Sequence, residues 1–179
     1  EIDAEGPPES VELFLRALAA DAPALARVES VAAIEADPVG YSSFEILDSR
    51  AQTSVDGVIP ADVATCLECL HEITDASDRR FAYPFTNCTN CGPRFTIVRC
   101  IPYDRANTTM SAFAMCERCA TEYADPADRR FHAEPIACPE CGPCVWLEKD
   151  GVTVRSDALE VAGRLLRTGK IVAIKGIGG

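Results

Sequence analysis

The sequence contains two copies of one cysteine pattern, and this duplication restricts the possible folds more than any other feature. In each copy two CxxC pairs are separated by 18 residues, and the second copy follows the first by 50 positions. The match extends beyond cysteine, since the Asp-Arg-Arg-Phe of residues 78–81 recurs at residues 128–131. Two copies of one folded unit are the simplest explanation of such a repeat.

The CxxC pairs are typical of a metal site built from four thiolates. A CxxC turn brings two thiolates to one ion, and two such turns complete a tetrahedral site with metal–sulfur bonds of about 2.3 Å. Because a closed site has no open coordination position, the pattern predicts a structural metal and not a catalytic one. The predicted ligands are Cys66, Cys69, Cys88 and Cys91 in the first site, and Cys116, Cys119, Cys138 and Cys141 in the second.

Zinc is favoured as the metal, with one ion in each site. Four thiolates also suit a rubredoxin-like iron site, and paired cysteines are compatible with disulfides. The first residues lack the basic and apolar segments of a secretory signal peptide, which favours a reducing, cytoplasmic location and therefore thiols. Since a repeat of fewer than about 40 residues buries little core, the metal is expected to supply the missing stability.

Four other residues of this region are predicted to have structural or surface roles. Cys100 and Cys144 lie outside the repeat, and we expect each to be a small, buried or partly exposed thiol, with entry into a metal site as the alternative. His71 and His132 occupy positions that are not equivalent in the two copies, which argues against a shared role as ligands.

Paired arginines occur once in each repeat, but the charge of the chain argues against a nucleic-acid site. Each pair directly follows an aspartate, Asp78 or Asp128, so we expect local ion pairs, with the binding of an anion as the alternative. The pairs are Arg79 with Arg80, and Arg129 with Arg130. Residues 66–144 carry 8 basic and 11 acidic side chains, and the net charge of the whole chain is −11. A general affinity for phosphate backbones is therefore not expected.

Residues 1–65 differ in composition, with no cysteine and with 13 acidic against 3 basic side chains. Apolar residues at helical spacing predict an amphipathic helix over residues 7–28, broken or kinked at Pro23. Strands are predicted at residues 28–36 and 43–47. Together with a short apolar start, this order is one half of a small α+β sandwich.

The C-terminal residues predict the beginning of another α/β domain. Ser156 is a candidate cap for a helix over residues 157–167, Gly169 ends it, and a strand follows at residues 171–174. We therefore expect a fragment truncated at both ends. No apolar run approaches the roughly 20 residues that span a bilayer, so no membrane partner is expected.

Several motifs resemble those of HypF, the carbamoyltransferase family of nickel-iron hydrogenase maturation. They lie in residues 83–95, 102–110, 130–135 and 138–143, and the resemblance covers essentially the whole chain. It implies an α+β chain: a partial acylphosphatase-like α/β sandwich, two small four-cysteine zinc-ribbon repeats, and the first helix and strand of a YrdC-like α/β domain. The implied divisions are residues 1–50 (C-terminal half of the acylphosphatase-like domain), 51–65 (linker), 66–98 and 116–148 (zinc-finger repeats), 99–115 (connector) and 149–179 (start of the YrdC-like domain).

The resemblance also implies a reaction for the complete protein. In family members the acylphosphatase-like domain hydrolyses carbamoyl phosphate, and the YrdC-like domain uses ATP to convert the carbamate into a carbamoyl adenylate. The carbamoyl group is then transferred to the C-terminal cysteine of HypE for the cyanide ligands of the hydrogenase. The catalytic residues are expected outside this chain, so the fragment alone is expected to be inactive. Lys175 is a candidate substrate- or nucleotide-binding residue, with an ordinary surface lysine as the alternative.

A second hypothesis is a stand-alone zinc-ribbon adaptor that binds protein or nucleic acid. It predicts an exposed apolar or basic surface on the repeats. The excess of acidic over basic side chains in residues 66–144 makes the nucleic-acid version a poor fit.

Overall fold

Four α-helices, two short 3₁₀ helices (Arg105–Asn107 and Thr109–Ala112) and one two-stranded sheet form the regular secondary structure of residues 2–23, 25–45 and 59–176, which the computed structural model describes. The chain divides into two compact units, residues 1–54 and 55–179. None of the helices in these ranges is long and apolar enough to cross a membrane. The elements are α1 (Pro8–Ala20), α2 (Leu67–Thr74), α3 (Glu117–Ala124), β1 (Leu147–Lys149), β2 (Val152–Val154) and α4 (Ala158–Arg167).

The first unit contains α1, which confirms the predicted helix and shortens it. Pro8 occupies the first turn, where its missing N–H leaves no hydrogen bond unmade. The helix ends at Ala20, before Pro23, so the predicted continuation to residue 28 does not form. A contact that the sequence did not reveal joins the two sides of this unit: the Glu5 carboxylate accepts backbone hydrogen bonds from Val39 (2.8 Å) and Gly40 (3.0 Å).

The strands predicted in the flanking regions do not form within the described residues. Residues 25–45 contain no strand, residues 46 and 47 lie outside the described ranges, and residues 171–174 are unpaired. A strand needs hydrogen bonds to a neighbouring strand, and these segments have none. Ile34 is 91% exposed and Ile174 is 82% exposed. Among the described residues, the predicted half sandwich is therefore represented by its helix alone.

The C-terminal elements include the predicted helix and a hairpin that was not predicted. Asp157, and not Ser156, is the N-cap of α4, and Gly169 follows the helix with a φ of 77°. β1 and β2 pair antiparallel across Asp150-Gly151, which have φ angles of 51° and 79°. An Asp-Gly pair between short apolar runs is a strong signal for this type of hairpin turn.

The two repeats are helix-and-turn units and not the β-hairpins that the term zinc ribbon implies. In each repeat a helix, α2 or α3, begins directly after the first cysteine, and turns lead to the second CxxC pair. Between residues 59 and 144 the structure has isolated β-bridges but no β-strand. One bridge joins Val63 to Gly92, so the described end of the predicted linker, from residue 59 onwards, contacts the first repeat.

A small apolar cluster joins the two repeats and the segment between them. Buried Tyr83, Ile97, Met110 and Ala137 form the cluster. The Arg105 guanidinium adds polar contacts, since it donates hydrogen bonds to the backbone carbonyls of the intervening segment and of the second repeat, at distances of 2.6 to 3.0 Å. The repeats therefore pack as one body, which fixes the positions of the two cysteine groups relative to each other.

Gly142 lies where this body tolerates no side chain. A Cβ at this position would lie 2.5 Å from the Ala137 Cβ and would also collide with the Tyr83 hydroxyl. The Gly142→Ala substitution is therefore expected to lower the free energy of unfolding by about 1–3 kcal/mol. Urea denaturation of the metal-loaded chain measures this. Gly6→Ala, where a Cβ meets nothing within 4 Å, is the matched control, and an equal effect of the two substitutions would contradict the prediction.

Candidate metal centres

The structure brings the eight predicted ligands together in two groups of four. In the first group the sulfur of Cys88 lies 3.7 Å from that of Cys66 and 3.8 Å from that of Cys91, which in turn is 3.5 Å from Cys69. Within each group all four sulfurs lie within 4.8 Å of one another. The members are Cys66, Cys69, Cys88 and Cys91 in the first centre, and Cys116, Cys119, Cys138 and Cys141 in the second.

These distances fit a tetrahedral metal ion in each centre. Four sulfurs at about 2.3 Å from one ion lie about 3.8 Å from each other, whereas the sulfurs of a disulfide are about 2.05 Å apart. All ten cysteines are free thiols, so the disulfide alternative is wrong. Closed sets of four thiolates are typical of structural zinc, and the two centres fit two zinc ions.

Helix starts and burial explain the geometry of the two centres. Cys66 and Cys116 are the N-cap residues of α2 and α3, so the thiol three residues later lies in the first turn of the same helix. A helix N-terminus favours a thiolate. Cys69 and Cys119 are fully buried. Because no ligand position is left for water or substrate, the centres are suited to holding the fold and not to catalysis.

The arginine pairs reach across from one repeat to the other. The Arg79 guanidinium of the first repeat donates a hydrogen bond of 2.7 Å to the sulfur of Cys119 in the second centre. In the opposite direction both terminal nitrogens of Arg129 lie 3.3 Å from the sulfur of Cys69 in the first centre. Each centre therefore receives thiolate hydrogen bonds from the repeat that does not contain it.

The second arginine of each pair forms a buried ion pair across the same boundary. Arg80, which is 2% exposed, lies 2.5 Å from the Glu122 carboxylate, and Arg130 pairs with Glu72. The Nε atoms donate to the backbone carbonyls of the opposite repeat, at 3.0 Å in each case. The prediction of local ion pairs with the preceding aspartates is wrong.

Those aspartates have a different role. The carboxylate of Asp78 accepts a hydrogen bond from the backbone N–H of Arg80, and Asp128 does the same for Arg130, both at 2.7 Å. An aspartate that accepts from a backbone N–H two residues further on stabilises a tight turn. Because this aspartate oxygen already accepts a backbone hydrogen bond, the arginine side chains extend to the other repeat instead of pairing with it.

The acidic partners of the arginines are held ionised. Burial by itself raises the pKa of the Glu72 carboxyl, but hydrogen bonds from Arg130 and Arg129 outweigh it, so this pKa lies below its usual value. The Glu122 carboxyl has a lowered pKa for the same reason, since Arg80 outweighs burial. The sequence did hold a signal for this pairing, because Glu72 and Glu122 are equivalent in the two copies.

A further buried carboxylate was not predicted at all. Glu134 accepts hydrogen bonds from the Tyr123 hydroxyl, at 3.1 Å to each oxygen, and from the backbone N–H of Arg105. Burial raises the pKa of the Glu134 carboxyl. Glu134 therefore connects the segment between the repeats to the second repeat. The equivalent residue of the first copy is Pro84, so the repeat pattern gave no signal for this contact.

The other residues singled out in the sequence lie outside the two centres. Cys100 and Cys144 are exposed and belong to neither sulfur group. His71 is exposed, and the ring of His132 lies 4.7 Å from the rings of Tyr123 and Phe131. Lys175 is exposed in the segment after α4, and its binding role stays a prediction.

Comparisons with known proteins converge on one family. The model of the HypF finger matches residues 65–98 and 115–148. Carbamoyltransferase HypF of Rhodobacter capsulatus is 53% identical over 93% of this chain, and the probable carbamoyltransferase HypF of Methanocaldococcus jannaschii is 50% identical over all of it. The chain spans 22% and 24% of the lengths of these two relatives.

Two solved structures agree with the sequence relatives. Full-length HypF in its phosphate- and nucleotide-bound form superposes with a TM-score of 0.87 at 43% identity, over 97% of this chain and 23% of that one. The crystal structure of T. kodakarensis HypF gives a TM-score of 0.84 at 45% identity, over 98% of this chain and 22% of that one.

Proposed function

The chain belongs to the HypF family, and from this we propose that it is the zinc-finger segment of a carbamoyltransferase of nickel-iron hydrogenase maturation. The relatives that carry this name are between four and five times as long as the matched region, since the chain spans between a fifth and a quarter of each. The proposed activity is that of the complete protein, and the contribution of this segment is structural.

In the proposed reaction the complete protein, located in the cytoplasm, uses carbamoyl phosphate and ATP to form a carbamoyl adenylate. It then transfers the carbamoyl group to the C-terminal cysteine of a HypE-type acceptor protein. The structural relative was solved with phosphate and nucleotide bound, which suits substrates of these two kinds. The regions flanking the repeats correspond to parts of an acylphosphatase-like and a YrdC-like domain, and Lys175 lines the substrate or nucleotide pocket when the latter is complete.

The observation that carries the structural role is the reciprocal exchange of arginines between two closed centres. Each zinc ion would be held by four thiolates, Cys66, Cys69, Cys88 and Cys91 or their equivalents 50 residues later. The ions supply the stability that two small repeats cannot obtain from their apolar clusters. A rigid pair of repeats keeps the catalytic domains on either side in a fixed arrangement.

The isolated chain is expected to bind two zinc ions and to show no hydrolysis of carbamoyl phosphate. Metal content is measured by plasma emission spectrometry and hydrolysis by phosphate release. Zinc binding without hydrolysis follows from the assignment of the chain as a segment that lacks the catalytic residues. Hydrolysis by the chain itself would contradict that assignment.

The complete protein provides the second half of the test. Cys119→Ser removes a buried ligand of the second centre, and it is expected to abolish carbamoyl transfer to the acceptor while hydrolysis of carbamoyl phosphate continues. Mass spectrometry of the acceptor detects the transferred group. Cys144→Ser, at an exposed thiol outside both centres, is the matched control. Full transfer by the Cys119→Ser variant would exclude the spacer role.

A further inference from the structure

The contacts between the repeats are reciprocal in a way that a simple spacer does not require. Arg79 donates to the sulfur of Cys119 in the second centre, and Arg129 donates to the sulfur of Cys69 in the first. The repeats are also joined through the backbone, since the N–H and the hydroxyl of Thr89 both donate to the carbonyl of Arg129, at 3.2 and 3.0 Å. The groups that support one centre are therefore fixed by the fold around the other.

Charge explains why these arginines matter to the metal. Four thiolates around one divalent ion leave a net negative charge at each centre. Charged hydrogen bonds to the sulfurs offset that charge, and such groups next to a metal centre orient its ligands and strengthen metal binding. The arginines lie in a cleft of about 580 Å³ together with Glu72, Glu122, Asp78 and Asp128. Arg118 also lines the cleft, and the four carboxylates and the two thiolate sets offset the charge of its arginines.

Each repeat also depends on its own ion for its shape. The buried cluster of the first repeat consists of Cys69, Cys88 and Cys91, with Cys66 packed against it, so the ligands themselves form the local core. When the ion leaves, nothing links the four sulfurs to one another, and this core is lost. The turn that presents Arg79 and Arg80 to the other repeat is then no longer held in place.

We propose that the two metal centres are thermodynamically coupled, with the exchanged arginines Arg79 and Arg129 as the coupling groups. Loss of the ion from either centre withdraws the arginine donors from the other, so its ion is released faster. The inference concerns the metal centres of this chain alone and does not depend on the proposed carbamoyl transfer. By the reciprocity of linked equilibria, each ion stabilises the binding of the other by the same factor.

Zinc release to a chromogenic chelator tests the coupling in the zinc-loaded chain. The wild-type chain is expected to release both ions in a single phase. In the Cys91→Ser variant, which destroys the first centre, the ion of the second centre is expected to leave about 10- to 100-fold faster than from the wild type. Release from the second centre at the wild-type rate would overturn the proposal.

The arginine variants identify the coupling groups. Arg79→Gln is expected to accelerate release from the second centre, and Arg79→Lys, which keeps the charge and an N–H donor, to restore most of the slow release. Arg118→Gln is the matched control, because Arg118 lies in the same cleft but donates to no sulfur in the described part of the chain. Equal rates for Arg79→Gln and Arg118→Gln would show that Arg79 is not a coupling group.

Cadmium-113 NMR gives a test that does not rely on rates. The chain loaded with two cadmium ions is expected to give two signals, assigned by their loss in Cys91→Ser and Cys141→Ser. Arg129→Lys is expected to shift the signal of the first centre, and Arg79→Lys that of the second, because each arginine contacts the sulfur in the opposite repeat. The reverse pattern, with each variant shifting the signal of its own repeat, would exclude the proposed exchange.

Discussion

Exhaustive chelation of the two metal ions is expected to unfold residues 66–144 and to abolish the far-UV signal of α2 and α3. Structural zinc contributes about 10 kcal/mol or more per site in small fingers, whereas a whole domain is stable by about 5–15 kcal/mol. The apolar clusters of this region are too small to replace that contribution, since one of them consists of metal ligands only.

The first unit of the chain provides an internal control for this experiment. α1 lies in the cysteine-free part of the sequence, so the backbone amide signals of residues 8–20 are expected to be unchanged by the chelator. Readdition of zinc to the reduced chain is expected to restore α2 and α3. Retention of the full helical signal after complete metal removal would show that the repeats have a sufficient core of their own.

The second large effect, a loss of stability, is expected from breaking the Arg80–Glu122 ion pair between the repeats. Arg80→Met removes the shorter of the two arginine contacts of Glu122, since Arg79 also lies 3.6 Å from this carboxylate. It also removes the donor to the Ala137 carbonyl, and Arg80 is 2% exposed. Breaking a fully buried pair at one side costs about 3–5 kcal/mol, and a loss near the lower end of this range is expected here because Glu122 is 22% exposed and keeps Arg79 at 3.6 Å. Urea denaturation of the chain at a fixed concentration of free zinc measures the change.

Two comparisons make this prediction specific. Arg16→Met removes one member of an exposed Arg–Glu pair on α1, and it is expected to change stability little because exposed pairs contribute little. The double substitution Arg80→Met with Glu122→Met is expected to recover much of the loss, because two apolar side chains replace the buried pair without leaving a charge. A double variant as unstable as Arg80→Met alone would place the cost in packing and not in the unpaired carboxylate.

The metal sites could be predicted from local sequence because their geometry is local. A CxxC pair at a helix start brings two thiols together whatever surrounds it, and two identical spacings leave one consistent pairing of the four turns. The helix α4 was predictable for a similar reason, since it depends on an apolar face and on the glycine after it.

The strands failed as predictions because a strand is not a local structure. The apolar residues at positions 28–36 favour a strand, but they do not supply the neighbouring strand. Within residues 25–45 that partner is absent, and the residues remain exposed. The hairpin of β1 and β2 formed because its partner is two residues away, across a turn that the sequence encodes.

Two sets of four thiolates, and the residues that belong to each set, follow from the sequence alone, whereas the helix at the start of each set was not predicted. The partners of the arginines depend instead on how the two repeats pack. Asp78 and Arg79 are adjacent in sequence, which favours a local pair, yet the aspartate oxygen is taken by a backbone N–H and the guanidinium reaches Cys119, 40 residues away. A side chain pairs with the charges that the packing of the two repeats brings within reach, and the spacing of residues along the chain does not encode which charges those are.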